Sequence, residues 1–185
     1  MSFAAELATV AERLRRATVQ VRGRSPGTGS GIVWRPRLIV TNAHVATGRS
    51  VVIESADGAV LKARLAASDR QRDLAVLEAD TEGLLPAELA ASDALKVGAL
   101  VFAVGNPLGL SGAVTTGIVY SLARTRRGAP LILADVRLLP GNSGGPLGDA
   151  AGRVVGVNTM ILRGLAAAIP SDVVERFLRD LRLAA

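Results

Sequence analysis

Cysteine is absent from this 185-residue chain, histidine occurs once and lysine only twice. No disulfide framework can form, and a lone imidazole without thiols is a poor basis for a zinc site, so no metal and no cofactor is expected. Aromatic residues make up 3% of the chain, so a core must be drawn mainly from Val, Leu, Ile and Ala within the 49% that is hydrophobic. No apolar run approaches 18 residues, which argues against a helical membrane span. The N-terminus shows no charged-then-apolar leader with a cleavage site. The compartment stays open: cytoplasmic if the chain is complete, periplasmic or secreted if a leader has been removed.

Acidic residues are outnumbered. The net charge is +6, and of the 22 basic residues only Lys62 and Lys96 are not arginine. The densest runs are Arg13-Leu14-Arg15-Arg16 and Arg124-Thr125-Arg126-Arg127. Phosphate contacts could be built from them, but the arginines are dispersed and no aromatics lie among them for base stacking. The first run reads as part of a helix and the second as a hairpin loop, where a solvated charged face is the ordinary explanation. Nucleic acid is therefore not an expected partner, and a weak preference for acidic partners is.

What is present is a succession of short apolar runs broken by Gly, Pro, Asn and Asp: 18–22, 29–34, 37–41, 51–55, 59–66, 74–78, 99–104, 114–122, 130–134 and 153–159. Many short strands with turn signals between them predict an all-β barrel arrangement rather than alternating β/α units. A helix is expected at each end. Phe3, Leu7, Val10 and Leu14 recur at helical spacing after Ser2, a candidate N-cap, predicting a helix over 3–16. Ser171 likewise precedes Val173, Val174, Phe177, Leu178 and Leu181, predicting a second capped helix that runs to the end. At this length the chain can bury one large core or two small ones packed together.

Three segments carry chemistry. Pro140-Gly141-Asn142-Ser143-Gly144-Gly145-Pro146-Leu147 sets one hydroxyl among glycines, which adopt backbone angles closed to other residues. Such a loop can converge successive N–H groups on a developing oxyanion, though an ordinary Gly/Ser/Pro turn has the same composition. The only histidine, His44, follows the strand-like Leu38-Ile39-Val40-Thr41, so a rigid element can hold its ring. Asp73 opens Asp73-Leu74-Ala75-Val76-Leu77, with Asp69 the one rival acid nearby. The order His44, Asp73, Ser143 is one of the known chain orders of a Ser-His-Asp triad.

These pieces resemble the HtrA (Deg) family of trypsin-fold serine proteases. The match runs through Gly27-Thr28-Gly29-Ser30-Gly31, Thr41-Asn42-Ala43-His44-Val45, Asp73 to Leu77 and Val104-Gly105-Asn106-Pro107-Leu108-Gly109. It continues through Val114-Thr115-Thr116-Gly117-Ile118-Val119, Gly141 to Leu147, Gly156-Val157-Asn158-Thr159 and Ala168-Ile169-Pro170-Ser171, covering roughly residues 5 to 180. The resemblance implies one domain, 1–185, of two packed six-stranded β-barrels, about 17–85 and about 95–170, with a C-terminal helix at about 171–183. It assigns Ser143 as nucleophile, His44 as general base, Asp73 (favoured over Asp69) as its orienting acid, and Gly141, Asn142 and Ser143 to the oxyanion hole. The implied reaction is endopeptidase cleavage of unfolded or misfolded polypeptides.

An extended substrate is expected to add itself as a strand along Val157-Asn158-Thr159. The first specificity pocket is expected between Val136 to Pro140, including Leu139, the segment Met160-Ile161-Leu162, and Ala166-Ala167-Ala168. Those apolar linings favour small or medium aliphatic residues at the cut. Arg137, where relatives carry a small residue, is expected to face solvent, with a pocket-facing role that would favour acidic side chains as the alternative. Three departures qualify the resemblance: no PDZ domain follows the protease region, the loops Arg124 to Pro130 and Arg163 to Ala166 are short, and no leader is visible. The shortened loops keep open a second reading, a weakly active or inactive module serving as a protein-binding, chaperone-like surface. Relatives also form trimers through N-terminal segments, which makes Phe3 and Leu7 candidate contacts for a homotrimer, with packing of the same helix onto its own barrel the plainer expectation.

Overall fold

The computed structural model describes residues 2–23 and 28–183; Gly27 of the first motif and the side chain of Phe3 lie outside what is described, as does residue 184 onward. Helix α1 (Phe3–Arg16) begins where the Ser2 hydroxyl accepts from the Ala5 N–H at 3.4 Å, and it carries Glu6 in its first turn and three arginines in its last. Both features complement the orphan N–H groups and the dipole of the helix. Strands β1 (Thr18–Arg22), β2 (Thr28–Arg35), β3 (Leu38–Thr41), β4 (Ser50–Glu54), β5 (Val60–Asp69) and β6 (Leu74–Glu78) follow. They close a barrel in the order β1-β2-β3-β6-β5-β4.

A second closed barrel contains β7 (Leu100–Gly105), β8 (Ala113–Arg124), β9 (Pro130–Asp135), β10 (Pro146–Asp149), β11 (Val154–Leu162) and β12 (Leu165–Pro170), ordered β10-β11-β12-β9-β8-β7. Helix α2 (Ser171–Asp180) ends the fold. Closure leaves neither sheet with a full-length open edge. The segment between the barrels is pinned alongside β11: the Val154 N–H donates to Glu88 O at 2.7 Å and the Ala90 N–H donates to Val154 O at 3.0 Å.

The strands facing the other barrel are buried on both faces, and alternation of side chains separates three cores. In β6, Ala75 and Leu77 point into the first barrel while Leu74 and Val76 point at the second. In β7, Val101 and Ala103 fill the second barrel while Phe102 and Val104 face the first. The shared middle core also takes Ile32, Trp34 and Val40, Leu14 of α1, and Val174, Phe177 and Leu178 of α2. Trp34 is the largest of them, and its indole N–H donates to Glu175 Oε1 at 2.7 Å while Arg35 donates to Oε2 at 2.7 Å. The indole is thereby satisfied in the core, and α2 is tied to the first barrel.

The structure amends several expectations. Every apolar run read as a strand lies on one, but β10 and β12 were not anticipated as separate strands. β10 overlaps the glycine-rich serine motif, and β12 is built largely of alanine, a poor strand signal. Ser171 is the first helical residue rather than the N-cap: its hydroxyl donates to Ala90 O, and the Asp172 N–H is taken by Ser92 Oγ. The helix stops at Asp180, not 183, where Leu181 forms the C-cap. Leu7 is partly buried against the shared core of its own barrels, in line with the plainer of the two expectations for that helix.

Leu14 is 1% exposed and its branch seats on Gly148 of β10, where any Cβ would come within 2.5 Å of it. Leu14→Ala is expected to lower unfolding free energy by about 2–5 kcal/mol, measured by urea titration. An unchanged midpoint would mean that α1 is dispensable to the shared core.

Candidate active site

The first barrel contributes an acid and a base by strand register. β3 and β6 are neighbours with Thr41 opposite Ala75, so the turn after β3 and the residue before β6 emerge at the same end. His44 lies in that turn and Asp73 at the threshold of β6. His44 Nδ1 stands 2.9 Å from Asp73 Oδ2 and 3.0 Å from Oδ1, and the His44 N–H donates to Oδ1 at 3.1 Å. Asn42 Nδ2 donates to the Asp73 carbonyl at 2.9 Å, holding the same turn from below. Asp73 has φ 55°, a left-handed conformation that Asp tolerates better than most residues. Asp69, the rival acid, instead caps its own turn, accepting from the Gln71 and Arg72 N–H groups and pairing with the Arg72 guanidinium.

The carboxylate is completed from the second barrel. Thr159 Oγ1 donates to Asp73 Oδ2 at 2.6 Å. Burial pushes the Asp73 carboxyl upward, but the hydrogen bonds from His44 and Thr159 outweigh it and hold the pKa below the usual 3.8. The hydrogen bond to Asp73 raises His44 above 6.5, against an opposing effect of burial. With Nδ1–H committed to the carboxylate, Nε2 is the ring nitrogen left to accept a proton.

Ser143 approaches this pair from the loop between β9 and β10. Its Oγ donates to Thr159 O at 3.0 Å, and among the described residues no hydrogen bond joins it to His44. Thr159 therefore touches both halves of the site, its hydroxyl on Asp73 and its carbonyl on Ser143. The loop is shaped by two glycines with positive φ, Gly141 (106°) and Gly144 (86°). A Cβ at Gly144 would lie 2.0 Å from Ser30 O, so no larger residue fits. The N–H groups of Asn142, Gly144 and Gly145 donate to Leu139 O, Asn158 O and Asn142 O. Among the described residues, those of Gly141 and Ser143 have no protein acceptor. Asn142, 3% exposed, contributes as a brace: its Oδ1 accepts from the Leu139 N–H at 3.1 Å.

The residue that anchors this loop, Ser30, carries almost no signal in the sequence. Ser30, fully buried on β2, donates through Oγ to Gly141 O at 2.7 Å and accepts from the Asn106 N–H at 2.9 Å. Its own N–H donates to Ser143 O at 2.8 Å, and Thr41 Oγ1 donates to its carbonyl at 2.6 Å. The only available signal was its position inside the Gly-Thr-Gly-Ser-Gly motif. Thr159 was named for its backbone, not for the hydroxyl that binds Asp73.

Two residues of the segment expected to take an added strand, Val157 and Asn158, are already paired. Val157 is paired on both sides, with Pro146 and Ile169, and the Asn158 N–H and carbonyl are occupied by Gly145 and Gly144. Neither residue can accept an added strand. β11 becomes one-sided only beyond β10, at Met160, Ile161 and Leu162, which pair with β12 alone. Beside the site, Leu139 and Met160 keep exposed apolar surface and the Arg137 side chain is exposed. Val136, Leu138, Ala166 and Ala168 pack inside the second barrel, and no metal-ligating cluster occurs among the described residues.

With this geometry in hand, likeness to known proteins is specific. Residues 29–157 match the trypsin-like peptidase domain family. The chain is 41% identical over 169 residues to a Halomonas elongata protein named "Probable periplasmic serine endoprotease DegP-like", covering 86% of this chain and 35% of that one. It is 37% identical over 185 residues to Protease Do-like 1, chloroplastic, of Arabidopsis thaliana, covering 91% and 42%. The solved HtrA-type protease AlgW with tripeptide superposes with a TM-score of 0.87 at 31% identity, over 94% of this chain and 62% of that one. The chain belongs to the trypsin-like peptidase domain family and is an HtrA-type member of it, spanning under half the length of these two sequence relatives.

His44 is the sole histidine, so its ring gives one clean set of NMR signals. Its titration is expected above 6.5 in the folded chain and back toward 6.5 in Asp73→Asn. The raised pKa stabilises the fold in full below 6.5, and that contribution is lost as pH rises through the folded value. An unshifted midpoint in the variant would remove Asp73 as the cause. Separately, Ser30→Ala leaves Gly141 O and the Asn106 N–H unpaired and should cost about 1–3 kcal/mol of stability, again read by urea titration.

Proposed function

We propose that this domain is a serine endopeptidase that uses His44, Asp73 and Ser143. The observation that carries the reading is the Asp73–His44 pair at 2.9 Å, which presents Nε2 as acceptor and is linked through Thr159 to the Ser143 hydroxyl. Before attack, Ser143 Oγ exchanges its resting bond to Thr159 O for one to His44 Nε2; catalytic hydrogen bonds often tighten only with substrate in place. Oγ then adds to the peptide carbonyl as Nε2 takes its proton, and the imidazolium passes that proton to the leaving amine. Water attacks the acyl-enzyme by the same route in reverse. The N–H groups of Gly141 and Ser143, which have no protein acceptor among the described residues, receive the oxyanion, each such donor lowering the barrier by about 2.7–4 kcal/mol.

Unfolded polypeptide is the proposed substrate, because main-chain pairing tolerates many sequences. The exposed apolar flank of Leu139 and Met160 supports aliphatic residues at the cut. One observation favours the second reading, a protein-binding module: the resting Ser143 hydroxyl is bound to Thr159 O rather than to His44. A fluorophosphonate probe separates the two. Labelling at Ser143 at pH 8 requires an activated nucleophile, and its absence selects the binder.

Ser143→Ala is expected to reduce casein cleavage by roughly 10⁶ with the fold intact, since triad members act as a unit. For the wild type, kcat/KM should rise with pH through a midpoint above 6.5, because the hydrogen bond to Asp73 keeps His44 protonated to higher pH. A profile flat from pH 5.5 to 8.5 would exclude His44 as the base.

A further inference from the structure

We infer that the cleft beside Asp73 selects polypeptides carrying acidic residues next to an apolar one, on the side of the substrate that pairs with Met160–Leu162. This rests on the peptidase reading for its biological meaning, but it stands on separate observations. The cleft, of about 730 Å³, lies between the outer face of the second barrel and the Gln71–Asp73 turn of the first. Asp73 and Thr159 are part of its wall, so it is continuous with the candidate active site.

Its floor is apolar by strand pairing. Met160 faces Ala167, which faces Leu133 on β9, and Leu162 faces Leu165. Directly paired residues share a face of the sheet, so these side chains form one surface, with Tyr120 and Leu131 at its far side. Met160 is 49% exposed, Leu162 39% and Tyr120 59%, an unusual display for a strand face. Among the described residues, the neighbouring backbone of Met160–Leu162 pairs on one side only. A peptide added there would put alternate side chains over the floor.

The rim is cationic. Arg72, Arg124, Arg126 and Arg163 line it, and the only carboxylate in the wall is Asp73, already engaged by His44 and Thr159. Arg72 is paired, at 2.7 Å from Asp69 and 3.6 Å from Asp180. Arg124 donates to Gly128 O. Among the described residues, Arg126 and Arg163 meet no carboxylate. Both project from turns, and Arg163 is held there by a left-handed φ of 53° followed by Gly164 at 85°. Two unneutralised guanidiniums at the end of an apolar trough complement a carboxylate placed beyond an aliphatic side chain. A nucleic acid strand fits less well, because Tyr120 is the one aromatic side chain in the wall and the floor is aliphatic.

The test uses Ser143→Ala, which cannot turn over its ligand, and fluorescence anisotropy. The probe is a fluorescein-labelled peptide with two glutamates preceding an alternating leucine–alanine run. Replacing both glutamates with glutamine is expected to weaken binding about tenfold, and raising salt from 50 to 500 mM should remove most of the difference, with screening lengths of roughly 14 and 4 Å. Adding Arg126→Gln and Arg163→Gln should abolish the discrimination. Arg49→Gln with Arg64→Gln, which removes the same charge from the first barrel, should preserve it. Equal affinity for the glutamate and glutamine peptides overturns the proposal, as does loss of discrimination in the first-barrel variant or equally tight binding of a single-stranded oligonucleotide. Selective binding by Ser143→Ala, with no cleavage of either peptide by the wild type, would instead sink the peptidase reading and leave the cleft's selectivity standing.

Discussion

The hydrogen bond from Ser30 Oγ to Gly141 O, 2.7 Å long and fully buried, is the contact on which the candidate site depends. It joins a strand of the first barrel to the glycine loop of the second. A peptide unit held by its carbonyl has its N–H direction restricted, since the unit is planar. Ser30 thereby constrains the backbone next to the hydroxyl that the mechanism needs. A second bond, from the Ser30 N–H to Ser143 O, fixes the other side of Asn142. Two polar contacts from one residue set the loop, and they are strong because the surroundings exclude water.

Such contacts need the barrels to be held in one relative position, which is the work of the shared middle core. Strands buried on both faces give each barrel its own filling and still present Phe102, Val104, Leu74 and Val76 to the partner. Thr159 draws on the same alignment. Its hydroxyl reaches across to Asp73 while its carbonyl holds Ser143 within the second barrel, so a slip of one barrel against the other would strain the bond to Asp73. The two helices close the arrangement from outside, α1 through Leu14 and α2 through Phe177, Leu178 and the Glu175 bonds to Trp34 and Arg35.

Much of this was legible in the residues. The helix at Phe3–Arg16 followed from period and cap, and the ten apolar runs located ten strands, because each was short and bounded by turn formers. β10 and β12 were hidden for a physical reason. Their stability comes from the ladders on either side, so Pro-Leu-Gly-Asp and an alanine run suffice where local propensity is weak. In the candidate site, the types and order of His44, Asp73 and Ser143 pointed to their chemistry. The roles of Ser30, Asn42 and Thr159 did not, because a serine, asparagine or threonine declares nothing until its hydrogen-bond partner is known. The error at Val157-Asn158 has the same origin: whether a strand edge is free depends on where its neighbour ends.

That last point bears on how this domain would choose a ligand. β11 and β12 are joined by Arg163-Gly164, both with positive φ, the signature of a two-residue turn whose twist matches the strands it joins. The hairpin therefore stays paired to its tip, with Leu162 opposite Leu165. A peptide meeting Met160–Leu162 encounters a strand already ordered by β12. Less conformational entropy is lost on binding to such a surface than to a loop that must first fold. The short connection between β11 and β12 thus acts as preorganisation. Selectivity in the cleft is carried by the fixed positions of its aliphatic floor and by the Arg126 and Arg163 guanidiniums, which meet no carboxylate among the described residues, rather than by a disorder-to-order step.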